Sequence, residues 1–178
     1  QDKEFLMANT TFSGPVRSRR GFITAGPDSV IDITAETTLT FADHAGRLIT
    51  VNDADGAITL PTIASGSKGA SAGDDDPSVN NHFGAVYRFY IETDCSDCDI
   101  KTDGTDKFVG SATVINVADG TNSSFVPAAA NDVISLNGGT TGGDKGSYVE
   151  ITAVKDNVYL VQAMLVGTGT EATPFADS

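Results

Sequence analysis

An all-β fold is predicted by three features of this 178-residue sequence. Short runs rich in Val, Ile, Thr, Tyr and Phe recur along the chain, and Gly, Asp, Asn and Ser separate these runs. The spacing of roughly 3.6 residues that marks an amphipathic helix is nearly absent. Because strands that follow one another without intervening helices are typical of antiparallel architectures, we expect an antiparallel β-sandwich or a barrel-like domain.

Five strands are predicted in the first half of the chain. Each is a β-branched or aromatic run bounded by turn residues, at residues 30–34, 38–41, 48–51, 57–60 and 86–92. In the last run, alternation places Tyr87, Phe89 and Ile91 on one face of the strand. Residues 65–81 are rich in Gly and Asp and contain too little apolar surface to offset the entropy lost on ordering, which predicts a long acidic surface loop.

Further strands are predicted in the second half, at residues 113–117, 132–136, 148–152 and 158–161. Lys155-Asp156-Asn157 lies between the last two strands and predicts a tight hairpin turn, because Asp and Asn accept positive φ. The final strand is apolar on both faces, which indicates either a deep core or contact with a partner subunit.

Charge divides the chain into two parts. The sequence has 11 Lys+Arg and 24 Asp+Glu, a net charge of −13. Residues 1–20 contain four basic and two acidic side chains, a charge of +2, so that residues 21–178 carry −15. Gly and Pro disfavour a helix in the basic segment, which we interpret as an extended N-terminal arm or, alternatively, a solvated tail, before a single β-rich domain of residues 21–178. The overall acidity opposes binding to nucleic acid or to an anionic membrane, and we expect neither partner.

The two cysteines form a lone CxxC motif. Cys95 and Cys98 stand among three aspartates, which disfavour the thiolate that redox chemistry requires. A zinc site needs four ligands, and the two histidines, His44 and His82, lie at spacings that match no zinc motif. A local disulfide and two free thiols remain the alternatives for this motif.

The other polar clusters predict no catalytic, cofactor or metal site. Residues 52–56 and 74–76 are acidic, but neither stretch has the spacing of an EF-hand calcium loop, and aspartates in such positions commonly form turns. Neither a phosphate-binding P-loop nor a G-x-S-x-G nucleophile motif occurs. The lack of Trp disfavours a sugar-stacking cleft, although the carboxylate pair of a glycosidase would be recognised only in space. We therefore expect a protein that is not an enzyme.

Several segments resemble structural proteins of tailed bacteriophages, particularly those of marine and cyanobacterial phages. Residues 7–18 with Gly21-Phe22 resemble the N-terminal segment of these phage proteins. Their sheet repeat, which ends in a Leu-Pro turn followed by an aromatic strand, is resembled by residues 39–46, 48–52, 58–61 and 84–91. Residues 146–151 and 157–161 resemble the closing hairpin. The resemblance implies a non-enzymatic capsid decoration (cement) protein, a homotrimer that lies on the outer capsid surface of the virion and binds the major capsid protein. A tail-fibre or receptor-binding module is the alternative.

Two sets of contact residues are expected on the basis of this resemblance. Basic and aromatic side chains of the arm and the start of the domain are expected to contact the capsid: Phe12, Arg17, Arg19, Arg20 and Phe22. The trimer interface is expected on two apolar strands: Tyr87, Phe89, Ile91, Tyr159, Val161 and Leu165.

Overall fold

The computed structural model describes residue 18, residues 25–63 and residues 83–178, and the described residues form an all-β fold, as predicted. In chain order the strands are β1 (Val30–Ile33), β2 (Thr37–Thr38), β3 (Leu48–Val51), β4 (Ala57–Thr59), β5 (Val86–Ile91), β6 (Cys98–Lys101), β7 (Lys107–Asn116), β8 (Asn122–Phe125), β9 (Val133–Leu136), β10 (Tyr148–Lys155), β11 (Val158–Gly167) and β12 (Phe175–Ala176). A 3-10 turn (Pro27–Ser29) precedes β1, and a single-turn helix, α1 (Phe41–His44), lies between β2 and β3.

The strands form two sheets. A seven-stranded sheet has the order β1-β3-β5-β10-β11-β7-β8, and a five-stranded sheet has the order β12-β9-β6-β4-β2. The predicted antiparallel arrangement is wrong, because both sheets are mixed. β1, β3 and β5 pair in parallel in the first sheet, and β2, β4 and β6 pair in parallel in the second.

The parallel pairs arise because the first six strands alternate between the two sheets. Parallel neighbours need a crossover connection, which is usually a helix. Here each crossover contains a strand of the other sheet, so that the chain winds from one sheet to the other and back. A sequence with few helices therefore forms parallel strand pairs, although it lacks the βαβ pattern that normally predicts them.

A β-hairpin returns the chain to the middle of the seven-stranded sheet. β10 and β11 pair in antiparallel register, and the hairpin lies between β5 and β7. The predicted turn is confirmed, since the turn residue Asn157 has φ of 59° and Lys155 pairs with Val158. β10 is antiparallel to β5, whereas β11 is parallel to β7.

One predicted strand is shorter than expected. Of the second run, at residues 38–41, only Thr38 lies in β2, because Thr40 caps α1 and α1 begins at Phe41. The Thr40 side chain caps this turn by accepting a hydrogen bond from the Asp43 amide at 3.2 Å, a role that Thr commonly takes at helix N-termini. The Thr40 amide in turn donates to His44 Nδ1 at 3.0 Å, which accounts for this histidine through local structure.

A single hydrophobic cluster takes side chains from both sheets. It includes Phe89 and Ile151 from the seven-stranded sheet, and Ile100 and Leu136 from the five-stranded sheet. Along β5, fully buried residues alternate with half-buried ones, which is the pattern of a strand with one face in the core. In the described residues, no helix is long and apolar enough to cross a membrane.

Near the C-terminus, a buried carboxylate joins three parts of the chain. Asp132 is 1% exposed and accepts hydrogen bonds from the Lys107 ammonium at 2.6 Å and from the Ser178 amide at 2.9 Å. Burial alone would raise the pKa of this carboxyl, but the Lys107 and Ser178 hydrogen bonds outweigh burial and lower it below its ordinary value. The ionised form is therefore the one that the fold favours.

Replacing Asp132 with asparagine is expected to destabilise the protein by about 1–3 kcal/mol at neutral pH, because the Lys107 ammonium loses its nearer charged partner and keeps only the more distant contact with Asp177. A carboxyl with a depressed folded-state pKa stabilises the fold above its unfolded pKa, and this contribution is lost as the pH falls through about 4 and below. Urea unfolding at several pH values should show this acid loss in the wild type and a weaker one in Asp132→Asn. Equal pH dependence in the two proteins would contradict the role assigned to Asp132.

Candidate interaction face

The residues predicted to contact the capsid lie outside the described part of the chain. This set comprises Phe12, Arg17, Arg19, Arg20 and Phe22. The predicted acidic loop at residues 65–81 and the second histidine, His82, also lie outside it. Their roles stay predictions.

The six residues predicted to form a trimer interface are placed in the core of a single chain. Each is 0% exposed: Tyr87, Phe89, Ile91, Tyr159, Val161 and Leu165. A side chain with no accessible surface in one chain has none to offer to another, so these side chains are core residues rather than contact residues. The trimer itself stays a prediction, and any interface on these strands would use the opposite side of the sheet.

That opposite side presents alternate residues of the same strands. We call it the outer face and define it by fifteen of the outward side chains of the five strands β3, β5, β10, β11 and β7: Leu48, Thr50, Val86, Arg88, Tyr90, Tyr148, Glu150, Thr152, Val154, Val158, Leu160, Gln162, Met164, Val109 and Ser111. All of them are partly or fully exposed. The outer face is therefore the accessible side of the strands that the sequence singles out.

Strand register arranges the outer face in rows. Tyr90 lies opposite Tyr148, which lies opposite Met164. In the adjacent row, Arg88 lies opposite Glu150, which lies opposite Gln162. Directly opposed side chains have Cβ atoms about 4.5–5.5 Å apart and contact one another, so that each row forms a continuous strip.

The centre of the outer face is polar and internally paired. Arg88 Nε donates to Glu150 Oε2 at 2.9 Å, and the Tyr148 hydroxyl donates to the same oxygen at 3.2 Å. Burial and the hydrogen bond to Glu150 raise the pKa of Tyr148, so that its hydroxyl remains a donor at neutral pH. A shallow depression of about 270 Å³ adjoins this centre and is lined by Tyr148, Glu150, Gln162, Ala163 and Met164.

The CxxC motif is buried and consists of two free thiols, one of the two alternatives that the sequence left open. Cys95 is 4% exposed and Cys98 is 2% exposed. Cys98 Sγ donates to the Asp53 carbonyl oxygen at 3.0 Å. The hydrogen bond to Cys98, burial and nearby carboxylates raise the pKa of Cys95, which disfavours a thiolate at Cys95, whereas the same hydrogen bond lowers the pKa of Cys98.

Two buried tyrosines, Tyr87 and Tyr159, lie in the core, and the charge of the buried Asp106 acts on Tyr159. The rings of Tyr87 and Tyr159 meet edge to face with their centroids 6.5 Å apart, and the Tyr159 hydroxyl donates to the Pro61 carbonyl oxygen. Burial raises the pKa of Tyr87 to about 12, and burial also raises that of Tyr159. Both hydroxyls are therefore protonated at neutral pH, and their inaccessibility makes them structural groups. Within the described ranges, no group of three or more His, Cys, Asp or Glu side chains is placed to hold a metal ion.

The outer-face residues were not predicted from the sequence, although a signal for them exists. In the run of residues 86–92, alternation separates two faces, and the sequence-based expectation places the interface on the more apolar one. The second face contains Tyr90, and the corresponding face of β11 contains Leu160 and Met164. Apolar residues on both sides of the last strand, which by sequence alone indicate either a deep core or a contact with a partner subunit, are the signal that points to this surface.

Three comparisons with known proteins give no relative. No protein-family model, curated protein or solved structure matches the chain. The functional interpretation therefore depends on the sequence and on the geometry described above.

Proposed function

We propose that this chain is a non-enzymatic structural protein of a tailed-bacteriophage virion, which binds the outer surface of the assembled capsid as a homotrimeric decoration protein. Its partner is the major capsid protein. The two mixed sheets pack as a sandwich, and residues 1–20 form the arm that contacts the capsid. The single observation that carries this proposal is the separation of charge, +2 in residues 1–20 and −15 in residues 21–178. The resemblance to phage structural proteins supplies the biological setting.

The separation of charge favours a protein that binds through one end. Guanidinium groups form strong, often bidentate hydrogen bonds with carboxylates, so Arg17, Arg19 and Arg20 suit an acidic protein surface. The acidic domain repels like-charged particles and keeps decorated capsids dispersed. The two parts therefore have different tasks, attachment and surface coverage.

Stabilisation of the capsid follows from mass action. A protein that binds the assembled lattice and not the dissociated subunits stabilises the lattice by its differential affinity. In a trimer, three arms bind as one multivalent unit, so contacts that are individually weak give a strong overall attachment. This mechanism requires binding alone and no chemical step.

Replacing Arg17, Arg19 and Arg20 with alanine is expected to weaken capsid binding by about tenfold or more, because charge-assisted hydrogen bonds are lost. The measurement is co-sedimentation of the purified chain with undecorated capsids over a range of concentrations. A rise in salt should weaken wild-type binding and have less effect on the variant.

The matched control removes the same charge from the domain. It replaces Arg47, Lys101 and Lys155, which lie in the described residues, with alanine. We expect near wild-type binding from this control. Unchanged binding by the arm variant, or an equal loss in the control, would contradict the assignment of the arm.

A further inference from the structure

We propose that Cys95 and Cys98 form an intramolecular disulfide bond when the chain meets a small-molecule disulfide such as glutathione disulfide. The two free thiols of the structure are then the reduced state of a modification site. This site is independent of the proposed function. Three observations support it: the contact between the two thiols, the fixed backbone between them and their position beneath an exposed turn.

The two thiols are neighbours inside the fold. A hydrogen bond joins Cys95 to Cys98, and both side chains are buried. Gly143 packs closely against the first cysteine, since a Cβ added to this glycine would lie 3.0 Å from Cys95 Cβ and 3.5 Å from Cys95 Sγ. This packing restricts the Cys95 side chain, which keeps the two sulfur atoms within reach of each other.

The backbone between the cysteines is fixed by hydrogen bonds to two other parts of the chain. The Cys95 amide donates to the Gly143 carbonyl oxygen at 2.9 Å. The amides of Ser96 and Asp97 both donate to the Ala54 carbonyl oxygen, at 2.6 Å and 3.1 Å, and Ser96 Oγ donates to the same oxygen at 3.0 Å. Because the turn is already ordered in the reduced chain, closing the S–S bond requires side-chain rotation and little further loss of backbone entropy.

A small local opening gives the oxidant access to the buried thiols. The turn that holds them connects β5 to β6, and four of its side chains are exposed: Thr93, Asp94, Ser96 and Asp97. Local opening of such a connecting segment requires less free energy than unfolding of the whole domain. Burial therefore slows the oxidation but does not prevent it.

The reaction consists of two thiol–disulfide exchanges. The Cys98 thiolate attacks one sulfur of glutathione disulfide, which forms a mixed disulfide and releases one glutathione. The hydrogen bond from Cys95 lowers the pKa of Cys98, which favours Cys98 as the attacking thiol. Cys95 then attacks the Cys98 sulfur, the mixed disulfide breaks and the second glutathione leaves. The two cysteines lose two electrons and two protons, and glutathione disulfide takes them up to give two thiols.

The test counts thiols in the folded chain after equilibration with glutathione disulfide. The reduced chain is separated from dithiothreitol, incubated with glutathione disulfide, then unfolded and alkylated with iodoacetamide. We expect the loss of both alkylatable thiols, and dithiothreitol should restore them. Trypsin cleaves after Arg88 and Lys101, so both cysteines lie on one peptide, which should be lighter by two hydrogen atoms after oxidation.

The matched controls are Cys95→Ser and Cys98→Ser, because each leaves a single thiol that has no partner within the chain. Neither variant should give the peptide that is lighter by two hydrogen atoms, and circular dichroism checks that each is folded. The wild-type measurement stands by itself if a variant does not fold. Two alkylatable thiols in the wild type after incubation would overturn the inference. Glutathione attached to both cysteines, or a disulfide between two chains, would also overturn it.

Discussion

Replacing Phe89 with alanine is expected to lower the free energy of unfolding by about 3–5 kcal/mol, since it removes a large side chain from a packed core. Phe89 is 0% exposed and lies on β5, between β3 and β10 in the middle of the seven-stranded sheet. Few surrounding side chains can move to fill the space, because neighbouring strands hold the backbone on both sides. Urea unfolding followed by circular dichroism measures the change.

The matched control is the next residue on the same strand. Tyr90 points to the outer face and is half-buried, so Tyr90→Ala is expected to cost much less stability. Phe89→Leu, a smaller change, gives a measurable value if the alanine variant does not fold. A Phe89→Ala protein that is as stable as the wild type but loses its oligomeric state would show that Phe89 is a contact residue after all.

Replacing Gly110 with alanine is expected to destabilise the protein by more than about 3 kcal/mol, through backbone strain and a direct clash. Gly110 has φ of 112° on β7, a conformation that side chains rarely adopt. An added Cβ would lie 2.1 Å from the Val161 carbonyl oxygen on β11. That oxygen belongs to the backbone of a paired strand and cannot move without opening the β7–β11 pairing.

Gly120 provides the control for backbone strain without a clash. Its φ is 76°, and an added Cβ would meet nothing within 4 Å. Gly120→Ala should therefore show only the cost of the left-handed conformation, about 1 kcal/mol. Thermal unfolding of the two variants measures the difference. If Gly110→Ala and Gly120→Ala lowered the stability equally, β7 and β11 would not be packed as closely as in this structure.

Local patterns in the sequence predict many strands but not their arrangement. The alternation at residues 86–92 and the turn at residues 155–157 depend on neighbouring residues, and the structure confirms both. The parallel pairs of β1, β3 and β5 join segments that are far apart in the chain, so no local sequence pattern predicts them. β6 was not predicted because its sequence, Cys-Asp-Ile-Lys, mixes polar and apolar residues over only four positions.

The candidate interaction face shows a different limit of sequence reasoning. A period of two separates the sides of a strand, but it does not say which side faces the chain's own core. Tyr87 and Tyr159 are fully buried, whereas Tyr90 and Tyr148 are accessible, although the sequence presents all four in similar apolar runs. The buried side of the seven-stranded sheet is the side that packs against side chains of the five-stranded sheet in the common core. That packing joins distant parts of the chain, so it cannot be read from one strand.

The number of copies of this chain in each virion tests the proposed function most directly. If the proposal holds, the chain is a component of purified phage particles, and the measurement is quantitative mass spectrometry of those particles with the major capsid protein as the internal standard. A capsid decoration protein covers the lattice, so we expect hundreds of copies in a fixed ratio to the major capsid protein. A handful of copies would contradict capsid decoration and would favour the tail-fibre or receptor-binding alternative.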